Sequence, residues 1–167
     1  MMQQRLPSSP AAGLAVRLRA IFGCCVGCCV LAAVVPSAAN AQSAAGGLRV
    51  SGQWFRLIMP SLPAAGYFTV TNATTVPEKL TGAASPACGM LMLHQSVSKN
   101  GEESMIMVPS VTIPAHGTVQ FAPGGYHLMC MSPRPAMAPG KSVPVTLRLA
   151  NGESLSASFP VRGATGK

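Results

Sequence analysis

Two histidines and several methionines stand at spacings that suit one soft metal ion. The four best placed residues are His94, Met105, His127 and Met129. Further methionines, which we regard as additional candidates, lie two residues from members of this set, at Met92, Met107 and Met131. A thioether sulfur is soft and uncharged, and it selects Cu(I) over hard cations and over zinc. The sequence therefore predicts a Cu(I) site.

The first 41 residues have the pattern of a secretory signal peptide. Arginines precede an apolar run over residues 21–35, and Ala39-Asn40-Ala41 supplies small residues for cleavage before Gln42. The run is shorter than the ~20 residues of a membrane-spanning helix. We predict an exported, periplasmic protein with no stable membrane insertion after the signal peptide 1–41 is cleaved.

Removal of the signal peptide changes the composition that matters for function. Residues 42–167 contain nine basic and four acidic side chains, and the basic ones are spread along the chain without a run. A scattered charge of this size favours a solvated surface over a nucleic-acid partner. The length suits a single domain with one hydrophobic core.

Short runs rich in Val, Thr, Leu, Phe and Tyr alternate with Gly and Pro, and no long segment shows a helical period. The runs predict strands over 48–57, 66–71, 91–97, 105–108, 118–121, 126–131, 143–149 and 155–161. Asn100-Gly101 and Asn151-Gly152 are hairpin signals between such runs. The expected fold is all-β, a Greek-key sandwich or barrel.

Strand geometry brings the metal-ligand candidates together. Residues two apart on a strand point to the same face, so His127 and Met129 can share one ion. If the first Asn-Gly pair is a two-residue loop, His94 lies opposite Met107 and diagonal to Met105. Diagonal neighbours are roughly 7–8 Å apart. Both methionines then come within reach, and the choice between them stays open.

Two cysteines, Cys88 and Cys130, remain after the signal peptide is removed. Strand alternation points Cys130 away from the face of His127 and Met129, so it is not expected to bind the metal. In an exported protein, two such cysteines most simply form a disulfide. A free thiol that assists copper capture or redox control is the alternative.

The ligand spacing resembles that of the periplasmic copper chaperones, with ten, twenty-one and one residues between successive ligands. The similarity extends to Gly124-Gly125-Tyr126 and Gly66-Tyr67 and covers most of residues 48–161. It implies a cupredoxin-like β-barrel that binds one Cu(I) at an exposed site, with Met105 rather than Met107 as a ligand. It also implies delivery of copper to the copper centre of cytochrome c oxidase, directly or through another chaperone.

Other functions fit the residues less well. A blue-copper electron carrier needs a thiolate ligand, and Cys130 points away. The sequence has no Asp and its four Glu form no acid and base pair, so no enzyme is predicted. Copper storage or buffering, and a structural β-sandwich without metal, stay open as alternatives.

The remaining methionines and the third histidine have simpler interpretations. Met59, Met90 and Met137 are expected to fill the core, since methionine packs well in irregular gaps. His116 lies in a turn-like stretch and is left out of the predicted site.

Overall fold

A computed structural model describes residues 44–166, so the predicted signal peptide 1–41 lies outside the described residues. Eleven strands make up this part of the chain: β1 Ala44–Ala45, β2 Leu48–Arg56, β3 Ala64–Asn72, β4 Glu78–Ala84, β5 Cys88–Lys99, β6 Glu102–Met107, β7 Val111–Ile113, β8 Thr118–Phe121, β9 Tyr126–Pro133, β10 Ser142–Leu149 and β11 Ser154–Arg162. Between residues 44 and 166 there is no helix with the length and apolar character needed to span a bilayer. The predicted all-β class is confirmed.

The strands form two sheets, and β11 joins them by pairing with one strand of each. One sheet runs in the order β6, β5, β9, β8, β3, β2, with β9 also pairing with β3. Strand β11 pairs parallel to β2 and antiparallel to β10, and the second sheet continues from β10 to β4 and β7. This arrangement places β5, with β6 on one side and β9 on the other, at one end of the first sheet.

The core lies on the inner faces of these sheets and is held by aromatic packing. Phe68 of β3 stacks on Phe121 of β8 with ring centroids 4.2 Å apart, and Phe159 of β11 contacts Phe55 and Phe68. A Cβ atom at Gly66 would stand 2.6 Å from the Phe55 ring. Glycine at this position therefore lets β3 approach the core aromatic ring closely.

The predicted Asn-Gly hairpin between β5 and β6 is confirmed. Asn100 and Gly101 have φ values of 56° and 83°, which is the left-handed conformation that both central residues of a type I′ turn require. Lys99 then pairs with Glu102, and the register continues to His94 opposite Met107. The turn therefore fixes which side chains of the two strands face each other.

The eight predicted strands are all present, but the structure adds three that were not predicted from the sequence. These are β1, β4 and β7. Strand β4 contains Glu, Lys, Gly and Ala, which are all depleted in strands, and β7 has only three residues. Pairing of β4 with both β10 and β7 explains why it forms a strand despite this composition.

A disulfide joins Cys88 of β5 to Cys130 of β9, with the two Cα atoms 5.4 Å apart. Both cysteines are buried and belong to the hydrophobic core. Their sequence separation of 42 residues means that the bond closes a long loop. The two strands that carry His94 and His127 are therefore covalently tied.

Removing this disulfide should destabilise the protein without changing its fold. We expect the Cys88→Ala/Cys130→Ala variant to lose about 2–4 kcal/mol of unfolding free energy, because the open chain regains loop entropy. Urea unfolding followed by circular dichroism measures the loss, with reduced wild type as the matched comparison. Equal midpoints for the variant and the oxidised wild type would contradict this.

Candidate metal centre

The centre of the site is His94, which has a donor side chain opposite it on each neighbouring strand. In the register of the sheet His94 pairs with Met107 of β6 on one side and with His127 of β9 on the other. Residues directly opposite each other on antiparallel strands have Cβ atoms about 4.5–5.5 Å apart. An imidazole from each of two strands and a thioether from a third thus lie in one row.

The same face of the sheet carries further methionines. Met92 pairs with Met129, Met90 pairs with Met131, and Met105 stands opposite Ser96. Since side chains alternate along a strand, all six methionines of β5, β6 and β9 share the face of His94. The opposite face carries Leu91, Leu93 and Leu128, all buried.

This arrangement corrects part of the prediction that three methionines fill the core. Met137 is buried, as expected, but Met59 is exposed and Met90 is 58% exposed. The prediction for Met90 was wrong because leucines occupy the core side of β5, and alternation therefore turns Met90 outward. Met59 lies in the loop between β2 and β3, where no strand directs it inward.

His127 is buried and held in one orientation by the backbone. Its Nδ1 lies 3.0 Å from the carbonyl oxygen of Gly125. A carbonyl oxygen only accepts, so Nδ1 donates its hydrogen, and Nε2 keeps the lone pair that a metal needs. In metal-binding histidines, a hydrogen bond from the ring nitrogen that faces away from the metal fixes both the tautomer and the ring orientation.

The Gly124-Gly125-Tyr126 segment explains how that carbonyl is placed. The Gly125 N–H donates to the carbonyl of Ala122 at 3.0 Å, and Gly124 at the third position of this turn has a φ of 79°. Pro123 precedes it, and Pro followed by a residue with positive φ is typical of a type II turn. The Gly125 carbonyl also accepts from the Ser96 N–H at 3.1 Å, which ties the turn to β5.

The His94 ring is partly exposed, but its Nδ1 atom is buried and has no hydrogen-bond partner. Such a buried polar atom costs about 1–3 kcal/mol, which a bound metal ion would offset. The centroids of the His94 and His127 rings are 5.9 Å apart. An imidazole nitrogen binds Zn²⁺ at about 2.0–2.1 Å, and bonds of similar length to copper would let both rings reach one ion at this separation.

Burial, and then the nearby His127, lower the pKa of His94 below its usual 6.5. Both causes disfavour the imidazolium form. A histidine must be neutral to bind a metal, so this environment keeps His94 ready to act as a ligand at neutral pH.

The methionines of the β5–β6 hairpin are accessible from solvent. Met105 is 60% exposed and Met107 is 68% exposed, and every residue of β6 is exposed. Met129, beside the buried His127, is only partly exposed. The site therefore has an enclosed side on β9 and an open side on β6.

The structure brings three of the four predicted ligands, His94, His127 and Met129, close together in the register, with the additional candidate Met107 opposite His94. Met105, the fourth predicted ligand, lies two residue pairs further toward the hairpin turn, opposite Ser96 and on the same face. Of the other additional candidates, Met92 lies next to His94 on the same face, and Met131 lies two residue pairs beyond Met129 on that face. His116 is exposed in the turn between β7 and β8.

The donors on this face are imidazoles and thioethers. Within residues 44–166 no three side chains of His, Cys, Asp or Glu gather into a metal-binding group.

The Gly125 carbonyl was not predicted from the sequence as the partner of His127, although the glycine pair before Tyr126 was a visible signal. The place of Met90 on this face was also missed, because Met90 was assigned to the core.

Comparison with known proteins identifies the family. Residues 48–161 match the family described as "Putative lipoprotein LpqE-like", and the chain belongs to this family. A relative from Leifsonia xyli subsp. xyli, named "Putative lipoprotein Lxx21020", is 34% identical over 131 residues, which covers 78% of each protein.

Solved structures extend this comparison. The solution structure of CuI-DR1885 from Deinococcus radiodurans is 34% identical with a TM-score of 0.56, and the alignment covers 74% of this chain and 83% of that one. The copper-bound PCuAC domain from PmoF2 has a TM-score of 0.60 at 20% identity, over 72% of this chain and 97% of that domain. The predicted cupredoxin-like fold and the resemblance to periplasmic copper chaperones are confirmed.

The environment of His94 predicts its titration in the metal-free protein. We expect an NMR titration to give His94 a pKa below 6.5, and the His127→Gln variant to move it part of the way back, since burial remains. Because the folded state disfavours the imidazolium, stability contributed by neutral His94 is present above pH 6.5 and is lost as the pH falls toward the folded-state pKa. A His94 pKa at or above 6.5 would contradict the buried, unpaired Nδ1.

Proposed function

We propose that this protein is an exported carrier of Cu(I). The ion is its cargo, and the ligands are His94, His127, Met129 and one methionine of the β5–β6 hairpin. The observation that carries this proposal is the row of His94 and His127, each with a nitrogen free for a metal, on a sheet face that also presents six methionines.

The donor chemistry favours Cu(I) over other ions. Thioether sulfur is a soft ligand, imidazole suits copper, and within residues 44–166 no cluster of carboxylates accompanies them. Zinc and the hard cations prefer thiolate, imidazole or oxygen sets. The Deinococcus radiodurans relative, 34% identical to this chain, has a solution structure in its CuI form.

Neutral ligands also suit a carrier in an oxidising compartment. A thiolate there is liable to be oxidised to a disulfide, as Cys88 and Cys130 are. A thioether needs no deprotonation and cannot form that bond. Exposure of Met105 and Met107 gives a receiving protein a path to the ion from the β6 side.

In the periplasm the protein would pass copper to a copper-receiving protein of cytochrome c oxidase assembly, directly or through another chaperone. The family resemblance supports this step, and no enzymatic reaction is part of the proposal. Storage or buffering of copper is the second candidate function, because the face carries more thioethers than one ion needs.

Two arguments point to different methionines of β6 as the fourth ligand. The family spacing points to Met105, while the register places Met107 directly opposite His94. Both side chains are exposed, and because methionine has three rotatable bonds, either could turn toward the histidine pair. We keep Met105 as the ligand implied by the family and treat Met107 as its direct competitor.

Anaerobic titration with Cu(I) against a competing chelator tests the site. We expect one tightly bound ion in the mature protein, an affinity lower by at least about a hundredfold in His127→Ala, and weakening in only one of Met105→Leu and Met107→Leu. Loss of a residue that merely supports a metal ligand costs about 10–100-fold in affinity, so loss of a ligand costs at least as much.

Met59→Leu is the matched control, since Met59 is exposed like the hairpin methionines but lies in the β2–β3 loop. Its affinity should equal that of the wild type. An affinity unchanged in His127→Ala would sink the proposed site.

The kinetics of copper transfer to an acceptor protein distinguish a delivery protein from a storage protein. Mixed with a copper-free soluble domain of an oxidase copper centre, the loaded protein should lose its ion at a rate that rises with acceptor concentration, because the open β6 side permits direct exchange. A rate independent of acceptor concentration, equal to that of spontaneous release, would favour storage.

A further inference from the structure

A second group of thioethers lies on the same face, beyond the histidine pair and toward the disulfide. Met90 stands directly opposite Met131, and Met92 is two residues from Met90 on the same strand. Met92 is therefore the diagonal neighbour of Met131, at roughly 7–8 Å between backbone positions, which is within reach of two long side chains.

Core packing does not account for Met90 and Met131. Met90 is 58% exposed and Met131 is 37% exposed, while Leu91 and Cys130 next to them fill the core side. Exposed large apolar side chains that gather on one face indicate an interaction site more often than single ones do. Met90, Met92 and Met131 have a thioether sulfur in common, which makes a soft metal ion the natural ligand for this group.

The backbone beneath this group is firmly held. The disulfide joins Cys88 and Cys130, the residues two before Met90 and one before Met131. A Cβ atom at Gly89 would stand 3.0 Å from the Cβ of Ser132, so β5 and β9 approach closely at this point. A ligand set on a fixed backbone loses less conformational freedom on binding than one on a loop.

We propose that Met90, Met92 and Met131 form a second site for a soft monovalent ion, Cu(I) or Ag(I), bound through three thioethers. The site binds more weakly than the histidine site because it lacks imidazole. Since Met92 also stands opposite Met129, the second ion would lie next to the first along the same face of the sheet. The inference depends on the donor chemistry of this group and not on copper delivery.

The test uses Ag(I), which avoids copper redox chemistry, and the exported protein with its mature N-terminus checked by mass spectrometry. Methionine methyl groups are labelled with 13C, and Ag(I) is titrated into the wild type and into His127→Ala. We expect the Met90 and Met131 methyl signals of the wild type to shift with the second equivalent. In His127→Ala the same methyl signals should still shift, but with the first equivalent of Ag(I), because the histidine site no longer competes for it.

Single Met→Leu substitutions show which residues bind the second ion. Met90→Leu and Met131→Leu should each weaken this binding event by at least about tenfold and leave the first equivalent of the wild type intact. Met59→Leu should change neither event. Methyl signals of Met90 and Met131 that stay unmoved at saturating Ag(I), or equal binding in Met90→Leu and wild type, would overturn the second site.

The two proposals fail in different ways in this titration. If His127→Ala binds its first equivalent as tightly as the wild type does and the Met90 signal shifts with it, the second site stands and the histidine site fails. If the wild type binds one equivalent that His127→Ala loses, with the Met90 and Met131 signals unmoved, the second site fails alone.

Discussion

The register of β5 against its two neighbours is the constraint on which the site depends. It puts His94 opposite Met107 on one side and His127 on the other. A slip of one residue would turn every donor into the core and every core leucine outward, because side chains alternate with a period of two. Burial of Leu93 and Leu128 on the inner face therefore stabilises the register that the outer face uses.

Much of this register could be predicted because its signals are local. The Asn-Gly turn sets the pairing of β5 with β6 within a few residues, and the alternation of β9 assigns His127 and Met129 to one face and Cys130 to the other. The pairing of His94 with His127 is different. Strands β5 and β9 are far apart in the chain and are not joined directly by a turn, so only tertiary packing brings them side by side.

What could not be predicted depends on the environment of each residue. Strand β4 is held by its neighbours β10 and β7 against its own weak propensity. Met90 was assigned to the core because methionine is a common core residue and because the predicted strand began at Leu91, whereas β5 begins at Cys88 and alternation places Met90 on the face of His94. The orientation of His127 is set by the carbonyl of Gly125, whose position follows from a turn with positive φ at Gly124.

Imidazole nitrogen NMR during addition of one equivalent of Cu(I) shows whether His94 and His127 bind the same ion. We predict that the His94 and His127 signals shift together and reach their end point at one equivalent, while those of His116 stay in place. A shift of only one of the pair, or a shift of His116 at the same metal concentration, would contradict a shared ion.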